Sequence, residues 1–265
     1  ISSAPRWTDP TMRLHLGHVI QTRGAARSEL VSFERLWVLS IDRELPEDAP
    51  RRDPDLTKRV GAIQVLRYDF GPSPVVIDLV DALPQAQANL TRNGKPTRCR
   101  WRARAHASMR GGLGQGPAPP AQRFVCDPKR PWLWVGETVI EDLNLRPRRC
   151  IWQHPAGPEP VSLSFPNVHL GNQITLFGGL FFYHERKGTG APVTMRVLVD
   201  GQEIGTMLHK DGEGFKRVQF DTRVGRAADA PARGTLRVEV STTNPYHRSF
   251  CWAGTIRDTT RREGS

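Results

Sequence analysis

Between Arg98 and Ala107 the chain alternates without a break, and the residue types involved could bind an anion. Successive side chains of a β-strand point to opposite faces. Cys99, Trp101, Ala103, Ala105 and Ala107 therefore share one face, and Arg98, Arg100, Arg102, Arg104 and His106 share the other. Neighbours on that second face sit roughly 7 Å apart, close enough for four guanidiniums to repel one another. They need acids on an adjacent strand, open water or an anionic ligand. Guanidinium suits a ligand because its planar fork pairs in bidentate fashion with carboxylate, phosphate or sulfate. Arg148 and Arg149 are expected to extend the surface. Glu29, Glu34, Asp42, Asp78 and Asp81 are acids that could instead neutralise it from within.

The charge distribution points to the same place. Of a net charge of +11, most arises between residues 92 and 149, which hold 13 Lys and Arg against 4 Asp and Glu. A concentrated surplus suits a local anion-facing patch better than a general basic bias. A plainer origin competes with it. Arg outnumbers Lys 32 to 6, as a GC-rich genome would produce unaided, and a charged face also guards an exposed strand edge.

Aromatic side chains are the second chemical resource. Trp132 and Trp134 lie two apart and would share a strand face; Tyr246, Trp7 and Trp252 are further candidates for a platform that stacks on a sugar ring. Tryptophans in a β-sandwich also pack the core, which is the competing reading of each. Other motifs give less. No G-x-S-x-G nucleophile elbow is present. His15 and His18 are spaced to opposite faces of a strand. Asp211-Gly-Glu-Gly214 is too short for a calcium loop. Glu137, Glu141 and Asp142 cluster too closely on one strand to flank a glycosidic bond. No metal and no cofactor are expected.

The elements that must position these residues read as all-β. The chain has 265 residues, enough to bury a substantial core, and its 24 Gly and 22 Pro fall between short alternating runs. Strand-like runs cover 12–20, 31–41, 60–70 and 74–80, the second with an apolar face through Val31, Phe33, Trp37, Leu39 and Ile41. Residues 81–89 suggest a short helical turn, which Pro84 weakens. The glycines of 111–120 recur without the strand-then-helix context of a phosphate loop, so a surface loop is expected. A Pro-rich stretch from Pro147 to Pro160 suggests a boundary between two β-sandwich domains, residues 1–145 and 146–265. In the second, Val193, Met195, Val197 and Val199 alternate with polar neighbours, Asp200-Gly201 marks a hairpin, and Gly178-Gly179 suggests a bulge or bend.

Cys99, Cys126, Cys150 and Cys251 show no zinc-ligand spacing, and each lies in a strand-like, aromatic-rich context. Their even number suggests structural disulfides and an oxidising compartment, extracellular or periplasmic. Four cysteines allow three pairings. Cys99–Cys126 with Cys150–Cys251 is favoured, since each would tie the first strand of a domain to its last. The run from Ile174 to Tyr183 is too short to cross a bilayer. The start at Ile1 reads as a mature or excised fragment, with any anchor outside it.

The second half resembles the galactose-binding-like and carbohydrate-binding jelly-roll modules of secreted bacterial proteins. The residues behind the resemblance are the 170–183 strand, the hairpin from Val193 to Ile204 and the strand from Phe250 to Ile256. The family has no universal binding motif, so no binding residue carries over. The resemblance implies a non-catalytic binding module, secreted, periplasmic or the ectodomain of a membrane protein, that recognises an envelope or extracellular polysaccharide; the arginine face suggests that this polysaccharide is anionic. One alternative is a polysaccharide lyase using Tyr183-His184 or Tyr246-His247 as base, although the Arg-x-Glu-x-Arg and Gln-Ile-His patterns of familiar jelly-roll lyases are absent. A second is a purely structural protein–protein interaction domain. Nucleic acid is disfavoured as a partner, because disulfides place the chain where it is seldom met.

Overall fold

The computed structural model describes residues 34–41, 45, 49–70, 73–105, 117–145, 147–227 and 232–262. Trp7, His15, His18, Glu29, Asp42, His106 and the expected strand at 12–20 lie outside the described residues, as does most of the 111–120 loop.

Alternation of apolar and polar residues makes the regular secondary structure of the described residues almost all strand, as the composition predicts. The first three strands, β1 (Arg35–Ile41), β2 (Leu56–Val60) and β3 (Ile63–Asp69), form a small antiparallel sheet in the order β1-β3-β2. Its buried face differs from the one expected. Val38 packs with Leu66 and Tyr68, while Trp37 and Leu39 are 51% and 67% exposed. The reason is register: Leu36 opposes Tyr68 and Val38 opposes Leu66, so the larger apolar pairs lie on the Val38 side.

The remaining strands build two facing sheets. One has eight strands, on the path β15 (Lys216–Asp221), β12 (Gln173–Leu180), β17 (Phe250–Arg257), β10 (Pro147–Gln153), β9 (Trp134–Glu141), β8 (Arg123–Val125), β7 (Arg100–Arg102), with β4 (Val75–Asp78) also on β17. The other has six, in the order β14 (Gln202–His209), β13 (Val193–Val199), β16 (Arg233–Thr242), β11 (Val161–His169), β5 (Gln87–Arg92), β6 (Lys95–Arg98). Between them lies one core including Leu90, Leu163, Phe165, Leu176, Trp252 and Ile256. All four residues of the Val193–Val199 alternation are buried in it. A single turn of α-helix, α1 (Phe182–Glu185), follows β12.

Residue 145, where a division is expected, lies in the connection between β9 and β10, and strands from both sides of it enter both sheets. The prolines that suggest a linker have a different use. Residues 154–160 carry the chain from β10 to β11 in the opposite sheet, and Pro160 O accepts the N–H of Thr91. A proline serves there because no ladder donor is required of it.

Two local expectations resolve clearly. Asp200 and Gly201 both take positive φ, 50° and 87°, the geometry of a two-residue hairpin turn. Gly178 and Gly179 form no bulge, since β12 keeps unbroken register with β17. They are small because of close approach: a Cβ on Gly178 would meet Met207 at 2.7 Å, and one on Gly179 would meet Phe215 at 2.5 Å.

Both favoured disulfides are present. Cys99–Cys126 spans 27 residues and Cys150–Cys251 spans 101.

Candidate functional site

The expected alternation holds from Arg98 to Arg102 and ends there, since residues 103 and 104 form a turn with Ala103 exposed; nor does the strand stay in one sheet. Arg98 ends β6 in the six-stranded sheet, and Arg100 opens β7 in the eight-stranded one. The handover is Cys99, whose N–H still bonds Ala88 O on β5 while its sulfur is tied to Cys126 just beyond β8. Arg98, Arg100, Arg102 and Arg104 are all exposed.

The other arginines singled out behave differently. Arg148 Nε donates to buried Asp142 at 2.8 Å. Arg149 donates to Glu137 at 2.9 Å and to Asp81 at 2.6 Å. Burial works against the Arg149 charge, but these two carboxylates more than offset it and raise its pKa. Arg148 and Arg149 are thus internally paired, and β8 and β9 separate their strand from β7. Glu137 and Asp142 are held in the same ion pairs. Asp78 instead accepts N–H groups of Val80 and Asp81, and burial pushes its pKa up.

The two tryptophans also separate. Trp134 is buried and stacked on Trp152, with ring centroids 5.4 Å apart, against the Cys150–Cys251 bridge. Trp132 precedes β9, is 38% exposed and leans on His154 at 4.6 Å.

At the end of the sandwich where β12 stops and β17 begins, topology brings together residues 63 positions apart. These strands are antiparallel neighbours, with Leu180 opposite Phe250. The segment leaving one therefore lies beside the segment entering the other, and Phe181 N–H bonds Ser249 O at 3.0 Å. This places Tyr183-His184 against Tyr246-His247. The His184 and His247 rings lie 4.4 Å apart, and Tyr246 lies 3.8 Å from His247. Tyr183 and Tyr246 are 55% and 72% exposed. His247 takes a φ of 58°, a region that side chains rarely enter and that recurs at functional sites.

Electrostatics keeps the histidines neutral. Burial, then the charges of His247 and Lys187, lowers His184 to about 4. Its Nδ1 lies 2.8 Å from Ser249 Oγ. Burial likewise lowers His154, beside Trp132, to about 4. A neutral imidazole offers one donor and one acceptor. The end thus presents aromatic faces beside hydrogen-bonding groups, the combination that grips a pyranose ring by its C–H face and its hydroxyls. Among the described residues no group of three or more His, Cys, Asp or Glu could hold a metal ion.

Behind it lies a support. Arg248 is buried against Asp211, and Asp211 also accepts the N–H of Gly190 at 2.8 Å. Glu185 accepts the N–H of Gly214, and His209 Nε2 donates to Gly214 O. Tyr183-His184 and Tyr246-His247 each stand out in the sequence as candidate bases, but only the pairing of β12 with β17 shows that they meet. His154, Ser249 and Arg248 carry no local signal that would have singled them out.

No family model matches the chain, and no curated protein matches it. Among solved structures, similarity is found to carbohydrate-binding modules of family 51. The second such module of Clostridium perfringens ZmpB with its INT domains, in complex with GlcNAc, is 12% identical over 46% of this chain and 25% of that chain, with a TM-score of 0.33. The module of a Clostridium perfringens GH95 in complex with methyl-galactose is 16% identical over 45% and 80%, at 0.32. The tandem modules of Sp3GH98 from Streptococcus pneumoniae are 10% identical over 75% and 56%, at 0.33. The chain spans a quarter of the first of these structures.

Proposed function

We propose that this protein is a non-catalytic glycan-binding module acting outside the cell or in the periplasm. Its partner would be an envelope or extracellular polysaccharide, held at the Tyr183, His184, Tyr246 and His247 end. The observation that carries the reading is the meeting of two exposed tyrosines beside neutral histidines at one end of the sandwich. The two disulfides fit an oxidising compartment. Among the described residues no helix is long and apolar enough to cross a membrane.

The test is a glycan array followed by calorimetry with whichever sugar binds. Tyr246→Ala should lower affinity by roughly tenfold, the value of one aromatic contact, and leave the unfolding midpoint nearly unchanged because the ring is exposed. An array without retained glycan, or a Tyr246→Ala variant that binds as the wild type does, would overturn the reading in favour of a structural interaction domain. One observation favours a second reading, a polysaccharide lyase: a neutral histidine beside a tyrosine could serve as base. Unsaturated-uronate absorbance during incubation with uronate polysaccharides would establish that instead.

A further inference from the structure

We infer that the corner where the chain passes from one sheet to the other is a second and separate site, a cleft for an anionic polysaccharide. An open cleft of about 660 Å³ lies there, lined by Arg98, Arg100, Arg102, Trp101, Pro84 and Phe124 among others. Three cations and an aromatic ring thus share one concave surface, on a chain segment of five residues.

Register decides between internal pairing and an external partner. In a sheet, the residue directly opposite is the first that can neutralise a charge. Opposite Arg98 stands Asn89, opposite Arg100 stands Val125, and opposite Arg102 stands Arg123. None is an acid, and the last is a like charge. Arg123 itself is drawn inward, donating to Pro120 O. Among the described residues, Arg98, Arg100, Arg102 and Arg104 form no ion pair and no side-chain hydrogen bond. Their neighbours show that this is not general in the chain. Arg92 pairs with Asp127, as Arg148 and Arg149 pair with acids of their own. The acids near the corner are already engaged, and the four arginines are left facing water.

The spacing suits a chain better than a single ion. Arg100 and Arg102 are two residues apart on a strand, roughly 7 Å, so the row offers successive positions for anionic groups. Arg98 continues the row across the sheet boundary. A polymer with repeated carboxylate or sulfate groups can engage them in succession, each by a bidentate fork. Trp101 packs edge-on against Phe124 with centroids 4.7 Å apart, which holds its ring in the cleft wall. The Cys99–Cys126 bridge pins the backbone between Arg98 and Arg100, so the row is ordered before any ligand arrives.

The experiment uses the whole chain on immobilised heparin, which is sulfated, and on polygalacturonate, which is carboxylated, with uncharged dextran as blank. Retention on one or both anionic columns, weakening steeply with salt, is expected, and the stronger column identifies the anionic group. Arg100→Gln with Arg102→Gln should lower affinity roughly tenfold to a hundredfold, the value of losing charge-assisted hydrogen bonds. Arg51→Gln with Lys58→Gln removes the same charge from exposed positions of the first segment and should change affinity less than twofold. If the double arginine variant does not fold, Arg98→Gln alone should still weaken retention several-fold. Equal loss in both double variants would reduce the effect to net charge and overturn the site. So would tighter binding of duplex DNA or anionic lipid vesicles than of either polysaccharide, or absence of retention. Neutral-sugar binding at the Tyr246 end is measured independently, so either site can fail without the other.

Discussion

Arg248 Nη1 donates to Asp211 Oδ1 at 2.6 Å, with the two side chains only 1% and 8% exposed. The pair joins the turn bearing Tyr246 and His247 to the 210–214 connection and, through Gly190 N–H, to the loop after α1. Removing one member of a buried pair leaves the other charge without compensation, at a cost of about 3–5 kcal/mol. Asp211→Ala should lose that much stability in urea titration. Gly190→Ala should also destabilise, since a Cβ there would lie 1.8 Å from the Arg248 guanidinium. Near-wild-type stability for both would show that this strut is dispensable.

A second buried link spans the sandwich. Gln153 on β10 donates to Val161 O at 2.8 Å and Val238 O at 3.2 Å in the facing sheet, and accepts from Trp252 Nε1 at 2.8 Å. Gln153→Leu would keep the volume and strand these partners without water. A loss of about 2–4 kcal/mol is expected in chemical denaturation. Shape would matter more than polarity here if Gln153→Leu were as stable as the wild type.

Acid should destabilise the fold through its histidines. His154 and His184 sit near 4 when folded against 6.5 otherwise, because burial disfavours their charged forms. The folded state then binds fewer protons between pH 4 and 6.5. Stability from these groups is present above 6.5 and lost as pH falls through that window. Glu185 runs the other way. Burial raises it from 4.5 to about 7, so its contribution is present below 4.5 and lost as pH rises through 7. Glu185→Gln should gain on the wild type between pH 4.5 and about 7 and level off above, read from unfolding midpoints. A difference that stays constant with pH would contradict the assignment.

The disulfides should differ in value with the loops they close. On the chain-entropy model, replacing Cys150 and Cys251 by Ala, which opens a 101-residue span, should cost about 4–5 kcal/mol. The Cys99/Cys126 double variant, opening 27 residues, should cost about 3–4 kcal/mol. Thermal or urea unfolding of the two variants checks the order, and the reverse order would point to native-state packing rather than loop entropy.

Much of this architecture was legible locally. The pleat alone dictates that Val193, Met195, Val197 and Val199 share a face, that Arg98, Arg100 and Arg102 share another, and that Asp200-Gly201 turns. The cysteines lay in strand contexts that made the observed pairing a reasoned choice. Tertiary structure decided the rest, because strand neighbours are chosen by burial between distant segments, which no local pattern records. Only the sheet order shows that β12 and β17 are adjacent, so that Tyr183-His184 meets Tyr246-His247. Only the tertiary structure shows that Arg102 faces Arg123 while Arg149 finds Glu137 and Asp81. Trp132 and Trp134, alike in sequence, differ because one precedes its strand and the other turns into an aromatic cluster under a disulfide. The sequence by itself determines which side chains share a face. Which chemistry that face then meets depends on free energy summed over contacts tens of residues apart.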